Sequence, residues 1–376
     1  MNAREALRRD FLARCGWGNA RIESLAPDAS FRRYFRLRRG AASALLMDAP
    51  PPVERLGAFI AVTDHLARLG ARVPVLDEHD LEHGFLLLED LGDKTFSRLL
   101  DGGFDDTMLY PLALDALVDI QRHPRAAEIA LPAYHADDDP ASPALAEVRL
   151  LTDWYLPAQL ARPAEAAVAE SFARIWSQTL SALPPLAPTL VLRDFHVDNL
   201  MLVDGECALL DYQDALLGSP AYDLASLLED ARRDLAPELA QAMLWHYRRR
   251  NPDVAADALH RHCIVWAAQR HCKVAGIFVR LWLRDGKDAY LAHLPRVMRL
   301  LQRHLHEQPL WPLRDWLERH LGDLRNLGAL RHRDGLDHAA RETARGELLR
   351  CCGDSLNRAD ADTTLAANAT ATDTAK

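Results

Sequence analysis

Residues 199–211, NLMLVDGECALLD, read as two apolar strands joined at Asp204-Gly205, a strong hairpin signal inside a stretch of otherwise helical periodicity. A hairpin fixes which residues can meet. With a three-residue loop from Asp204 to Glu206, Val203 pairs with Cys207 and Asn199 falls opposite Asp211. A two-residue loop shifts the pairing by one and still leaves Asn199 and Asp211 neighbours. The hairpin therefore carries an amide oxygen and a carboxylate to one spot at its open end. Hard oxygen ligands suit Mg²⁺, which keeps some waters and takes the rest of its shell from phosphate.

Around this island the chain changes character once. Three β-type segments, RIESLA, YFRLRR and SALLMDA, open the first third, separated by the turn-like PDAS and RGA. A helix runs from Val53 to a stop signal at Gly70, and two further strand candidates, VPVLDEH and FLLLED, end at LGD. From Thr95 on, apolar residues recur three and four apart over 105–122, 142–160, 163–183, 222–232, 236–250 and 254–283. This order predicts an α+β, bilobal fold. A small antiparallel-sheet N-lobe spans 1–91, a hinge lies near Leu88–Gly92, and a mostly helical C-lobe spans 92–325. Ligands commonly bind in the cleft of such a plan. Residues 357–376 are small and polar without periodicity, and are expected to form a disordered tail.

Just upstream of the hairpin, the apolar LVL runs into RDFHVDN, Arg193 to Asn199. Asp194 stands five residues before Asn199, and the strand pair then ends at Asp211. This spacing is that of the protein-kinase catalytic loop and its metal-binding Asp. There, one carboxylate orients the attacking hydroxyl and accepts its proton, while the amide and second carboxylate hold Mg²⁺ on the phosphates. Asp194 is thus the expected catalytic base, with Asn199 and Asp211 as metal ligands. His196 is expected to support the loop, since the base is already assigned. Asp223, at a helix start, is expected to brace it.

These segments, VLRDFHVDNLML and LLDYQDALLGSPAYDLA, resemble the aminoglycoside phosphotransferase and choline kinase-like family, kinases of small hydroxylated molecules. The family's HGDxHxxN stands here as Arg193 to Asn199, with Arg193 where glycine is usual. Its DFG-type site stands as Asp211-Tyr212-Gln213 and its DLA as Asp223-Leu224-Ala225. The resemblance spans about residues 20–320 and implies a protein kinase-like fold using ATP and Mg²⁺. DASFRRYFRL, LLMDAPP, LLLEDLGD, TDWYLP and KVAGIFVRLWLRDGK are similar to one branch of the family. That branch phosphorylates the anomeric hydroxyl of N-acetylmuramate and N-acetylglucosamine during peptidoglycan recycling. The segment Glu89–Leu91 would present backbone groups to adenine. One position departs: where family members carry a third-strand lysine that grips ATP phosphate, this chain has Met47. Arg32, Arg33 and Arg36 are the candidate substitutes, since arginine can hold phosphate bidentately.

Farther on, Lys273, Arg280 and Arg284 fall within roughly 40° of one another on a single helix. They form either a solvated basic stripe or an anion site suited to a carboxylate-bearing sugar. Asp153 and Trp154 are candidates for sugar hydroxyls and the sugar face, weighed against core packing. His260, His262, Cys263, His271 and Cys272 point in several directions and include no Cys-x₂-Cys pair, which disfavours zinc. GWGNAR lacks the third glycine of a dinucleotide motif, and no Walker-type lysine loop occurs. A net charge of −9 leaves no overall basic footprint for nucleic acid. No apolar run approaches the ~20 residues that span a bilayer. MNAREALRRDFLARCG reads as an amphipathic helix ending at Gly16, and the six cysteines are irregularly spaced. The expectation is a cytoplasmic enzyme with a small-molecule sugar substrate and no obligate protein partner. Its rivals are a kinase of an aminoglycoside, choline or other small amine, and a catalytically weak ATP-binding regulator suggested by Met47.

Overall fold

The computed structural model describes residues 3–25, 32–51, 56–123, 126, 128–137, 139, 141–330 and 338–352. The expected tail at 357–376 and residues 28–31 of the arginine-rich loop lie outside them. In chain order, α1 (Ala3–Arg14) precedes β1 (Arg21–Ser24), β2 (Arg33–Arg39) and β3 (Ala42–Asp48). Next come α2 (Leu56–Arg68), β4 (Leu76–Asp80), β5 (Phe85–Glu89), α3 (Phe96–Asp101) and α4 (Asp106–Arg122). Helix α5 (Pro143–Leu150) runs through a π-helical turn (Leu151–Tyr155) into α6 (Leu156–Leu160), and α7 (Ala166–Ser181) follows. Four short strands are β6 (Thr189–Val191), β7 (Leu200–Val203), β8 (Glu206–Leu209) and β9 (Leu216–Gly218). The remaining helices are α8 (Ala221–Leu228), α9 (Pro237–Arg250), α10 (Ala256–Asp285), α11 (Leu294–His304), α12 (Trp311–Leu321) and α13 (His338–Cys351). The fold is α+β. No helix among the described residues is long and apolar enough to cross a membrane.

Within the described residues the chain divides into two compact units, 3–129 with 197–215 and 130–196 with 216–352. In the first, five antiparallel strands pair in the order β1-β2-β3-β5-β4. Period-two alternation gives this sheet two faces. Phe35, Leu37, Ala44, Leu46, Phe85 and Leu87 point to one face, where Phe11 and Leu12 of α1 close a buried cluster. Full burial of each of these leucines and phenylalanines contributes about 1.5–3 kcal/mol. Arg4 fastens α1 to the sheet through Asp48, 2.6 Å away. The alternate residues, Tyr34, Arg36, Leu45, Met47 and Leu88, line a pocket instead.

The hairpin belongs to this unit. Val203 pairs with Glu206 across a two-residue loop, so the shorter of the two expected registers is the one adopted. Asp204 and Gly205 both take positive φ, 51° and 86°, the backbone a type I′ turn requires. The hairpin docks through Leu202 N–H on the Lys94 carbonyl (2.9 Å) and Leu209 N–H on the Arg72 carbonyl (2.8 Å).

The second unit is built around α10, most of whose thirty residues include buried positions on every side. Helices α5, α8 and α11 and the π-helical turn pack against it. At Gly276 the approach is so close that a Cβ would lie 2.3 Å from the Leu150 carbonyl, which explains the glycine. At one end, Glu229 accepts hydrogen bonds from His271 Nε2 (2.7 Å) and His304 Nε2 (2.8 and 2.9 Å), tying the residue after α8 to α10 and α11.

Candidate active site

The pocket of the first unit encloses about 320 Å³. Its apolar walls include Leu25, Met47, Leu88, Met201 and Leu210, a slot suited to a flat ring. Glu89 and Leu91 line one side, while Asn199 and Asp211 lie along the same pocket. Leu210 N–H donates to the Asn199 carbonyl at 2.9 Å, extending the hairpin ladder by one pair and placing Asp211 one residue beyond. Asp211 adopts φ 57°, a left-handed conformation that costs a non-glycine residue about 1–2 kcal/mol. Its neighbour secures that turn. Tyr212 is buried, stacks on Phe59 at 5.7 Å, and shares a 3.0 Å hydrogen bond with Thr63 of α2.

The three arginines fare differently. Arg36 Nε lies 3.0 Å from Asp90, its Nη1 2.9 Å from Asp93, and its Nη2 donates to the Gly92 carbonyl at 2.9 Å. Two carboxylates and a carbonyl thus engage this guanidinium, which braces the 90–93 turn and is little available to an added anion. Arg33 is exposed at the start of β2. Arg32 Nη1 stands 3.6 Å from Asp211, with its side chain only 10% exposed. Glu89 is held by Arg72 (2.5 and 2.8 Å) and accepts from Val75 N–H at 3.2 Å, so its side chain fixes the strand end. Met47 is buried beside the pocket, and the residue of α2 lining that pocket is Phe59. In protein kinases the strand lysine pairs with a helix glutamate. Here the pocket-lining residues at these two places, Met47 of β3 and Phe59 of α2, are both apolar.

Asp194 belongs to the second unit. Its loop starts at β6, and Asp223 accepts from the backbone N–H groups of Leu192 (2.6 Å) and Arg193 (2.9 Å). Burial pushes the Asp223 carboxyl up to about 7, against the pull of those two donors. These two bonds tie the loop to the start of α8. Arg193 takes φ 71°, the conformation for which the family's usual glycine is suited. Its guanidinium pairs with the buried Glu147 of α5. Glu147 also lies 2.9 Å from Lys273 Nζ, and accepts from the Tyr134 hydroxyl and from Gln269 Nε2 at 3.2 Å. Burial opposes ionisation of Glu147, but Lys273, Arg193 and the tyrosine outweigh it and hold its carboxyl at about 2.

This charge cluster reaches the loop. Burial raises the Asp194 pKa, yet Lys273, His196, Arg193 and Arg270 together bring it below the usual carboxylate value. Asp194 is thus kept ionised. His196 is buried, its pKa lowered by that burial, and its backbone N–H donates to the Asp194 carbonyl at 3.1 Å.

The remaining candidates separate along the helices. Trp154 is 1% exposed, a core position within the π-helical turn, so its ring face is not open to a sugar; Asp153 beside it is half-buried. Lys273 is buried and committed to Glu147. Arg284 pairs with Asp285 at 2.7 and 2.9 Å, and Arg280 is half-buried.

A profile described as "Phosphotransferase enzyme family" matches residues 21–258. The chain belongs to this family. The phosphotransferase is 37% identical over 304 residues to an N-acetylmuramate/N-acetylglucosamine kinase of Pseudomonas aeruginosa, covering 78% of this chain and 87% of that protein. It is 31% identical over 355 residues to a kinase of the same name from Caulobacter vibrioides, covering 85% and 97%. Among solved structures, a choline/ethanolamine kinase family protein from Mesorhizobium loti superposes with a TM-score of 0.57 at 14% identity, covering 86% and 99%. The phosphotransferase therefore has the protein kinase-like fold of that group and is an enzyme that phosphorylates a hydroxyl acceptor.

Two residues that hold the candidate site's loops escaped sequence reasoning. Tyr212 was read only as part of a DFG-type triplet, and Glu147 was not singled out. The available signal for Glu147 was a carboxylate on the buried stripe of α5, between Leu145 and Val148.

Proposed function

We propose that this phosphotransferase transfers the γ-phosphate of ATP to the anomeric hydroxyl of a cell-wall amino sugar, N-acetylmuramate or N-acetylglucosamine, giving the sugar 1-phosphate for peptidoglycan recycling in the cytoplasm. The observation that carries this reading is the 31–37% identity, over most of both chains, to proteins named as kinases of these two sugars. The ionised Asp194, and Asn199 and Asp211 along one pocket, fit the chemistry. Asp194 orients the sugar hydroxyl and takes its proton as that oxygen attacks the γ-phosphorus in line and ADP departs. An anomeric hydroxyl is more acidic than its ring neighbours, so a carboxylate is an adequate acceptor. Asn199 and Asp211 offer the hard oxygens that Mg²⁺ needs; when bound, the ion offsets charge on the phosphates. The lobes 1–91 and 92–325 would serve nucleotide binding and catalysis with substrate binding, respectively.

With Met47 in place of lysine, Arg32 is the arginine best placed to meet phosphate, beside Asp211 and near the metal ligands. Arg32→Ala should raise the ATP KM about tenfold or more, the loss expected for a charge-assisted contact. Unchanged ATP KM and kcat would remove this role.

Incubation with Mg-ATP and a panel of N-acetylmuramate, N-acetylglucosamine, choline and kanamycin, followed by ³¹P and ¹H NMR of the product, tests the whole reading. Phosphate on C1 of an N-acetyl sugar is expected. Phosphorylation of choline or kanamycin alone would overturn it.

A further inference from the structure

Resting on that reading, we infer that Arg280 is the residue that recognises the carboxylate of N-acetylmuramate, and so sets the preference between the two sugars. N-acetylmuramate differs from N-acetylglucosamine by a lactyl ether bearing one carboxylate, so a single cation can distinguish them.

The basic stripe of α10 is divided by its partners. Lys273 is consumed by Glu147 and Arg284 by Asp285. Arg280 has no ion pair or hydrogen bond among the described residues, and its Nε is buried without a partner. Asp285, which also attracts Arg280, is already gripped by both prongs of Arg284. Lys287 adds a further positive charge close to Asp285. A half-buried guanidinium beside like charges is held at a cost that an incoming carboxylate would relieve. The negative end of the helix dipole is moderated there, because Arg345 Nε donates to the Trp282 and Leu283 carbonyls (3.0 and 3.1 Å).

Position along the helix supports the assignment. Arg280 lies seven residues after Lys273, two turns or about 10.5 Å along one face. Lys273 lies 2.9 Å from Glu147, which also pairs with Arg193, the residue before Asp194. The face of α10 that carries Arg280 thus continues from the charge cluster behind the Asp194 loop, the direction in which the lactyl group of a sugar held at Asp194 would extend.

The test measures kcat/KM for both sugars with wild type, Arg280→Met and Arg280→Lys. The ratio of N-acetylmuramate to N-acetylglucosamine efficiency should fall about 10- to 100-fold in Arg280→Met, mainly through KM for N-acetylmuramate, and recover in part in Arg280→Lys. A second measurement leaves the protein untouched: wild type given N-acetylmuramate converted to its neutral amide should lose the same factor. An unchanged ratio in the variants, or full efficiency with the amide, overturns the role of Arg280 while leaving the sugar-kinase reading intact. If wild type phosphorylates neither sugar, the reading itself fails and this inference falls with it.

Discussion

Asp194→Asn should lower kcat by about 10²–10⁴-fold, the contribution of a positioned general base. ATP affinity should stay near the wild-type value, because the pocket proposed to take the nucleotide is lined by residues of the other unit. The substitution removes the charge and keeps the shape, so the change reports on proton acceptance and hydroxyl orientation. Stopped-time product assays with nucleotide titration by calorimetry separate the two quantities. Equal turnover in mutant and wild type would instead favour a regulator that binds ATP without needing a base. The pH profile gives a second handle. With its pKa held below the ordinary 3.8, Asp194 remains ionised through neutral and mildly acidic pH. The base should therefore impose no loss of kcat until pH falls below that value.

The largest expected effect on stability is that of Glu147→Ala. It leaves Arg193 and Lys273 buried without their shared carboxylate, and removing one partner of a buried ion pair costs about 3–5 kcal/mol. Urea unfolding at pH 7 measures this; a loss under about 1 kcal/mol would mean the cluster relaxes to other partners. The pH dependence has a definite sign. The folded-state carboxyl, at about 2, lies below its ordinary 4.5. Its stabilisation is complete above about pH 4.5 and is lost as pH falls toward 2. That acid limb should flatten in Glu147→Gln, which keeps the side chain's size and hydrogen-bonding capacity but carries no charge.

Features encoded locally were legible. Strands β1–β5 follow from alternation and turn residues, and the neighbourhood of Asn199 and Asp211 follows from the Asp204-Gly205 turn whichever register is taken. Long-range partners were not legible, because nothing in the run around Lys273 announces a carboxylate on α5. The same holds for Arg36: its place in β2 says which face it occupies, but not that Asp90 and Asp93 come to meet it. Trp154 illustrates a different difficulty. A π-helical turn takes an extra residue, so the face counted at 3.6 residues per turn slips, and a residue near the boundary can be core or surface. Arg193, unexplained by spacing alone, becomes intelligible once its positive φ and its bond to Glu147 are seen together.

The hairpin at 200–209 also bears on biosynthesis. The unit that houses the proposed nucleotide pocket draws on residues 3–129 and then on 197–215, with a long helical excursion encoded between them. A growing chain emerges amino-terminus first. Its five-stranded sheet can assemble early, but Met201, Leu210 and Asp211 reach the ribosome exit much later. Until then Leu45, Met47 and Leu88 lack the opposite wall of their slot. A fragment ending at residue 129 should accordingly bind apolar dyes and fail to retain ATP, and the nascent enzyme has a defined interval in which chaperones have an apolar surface to hold.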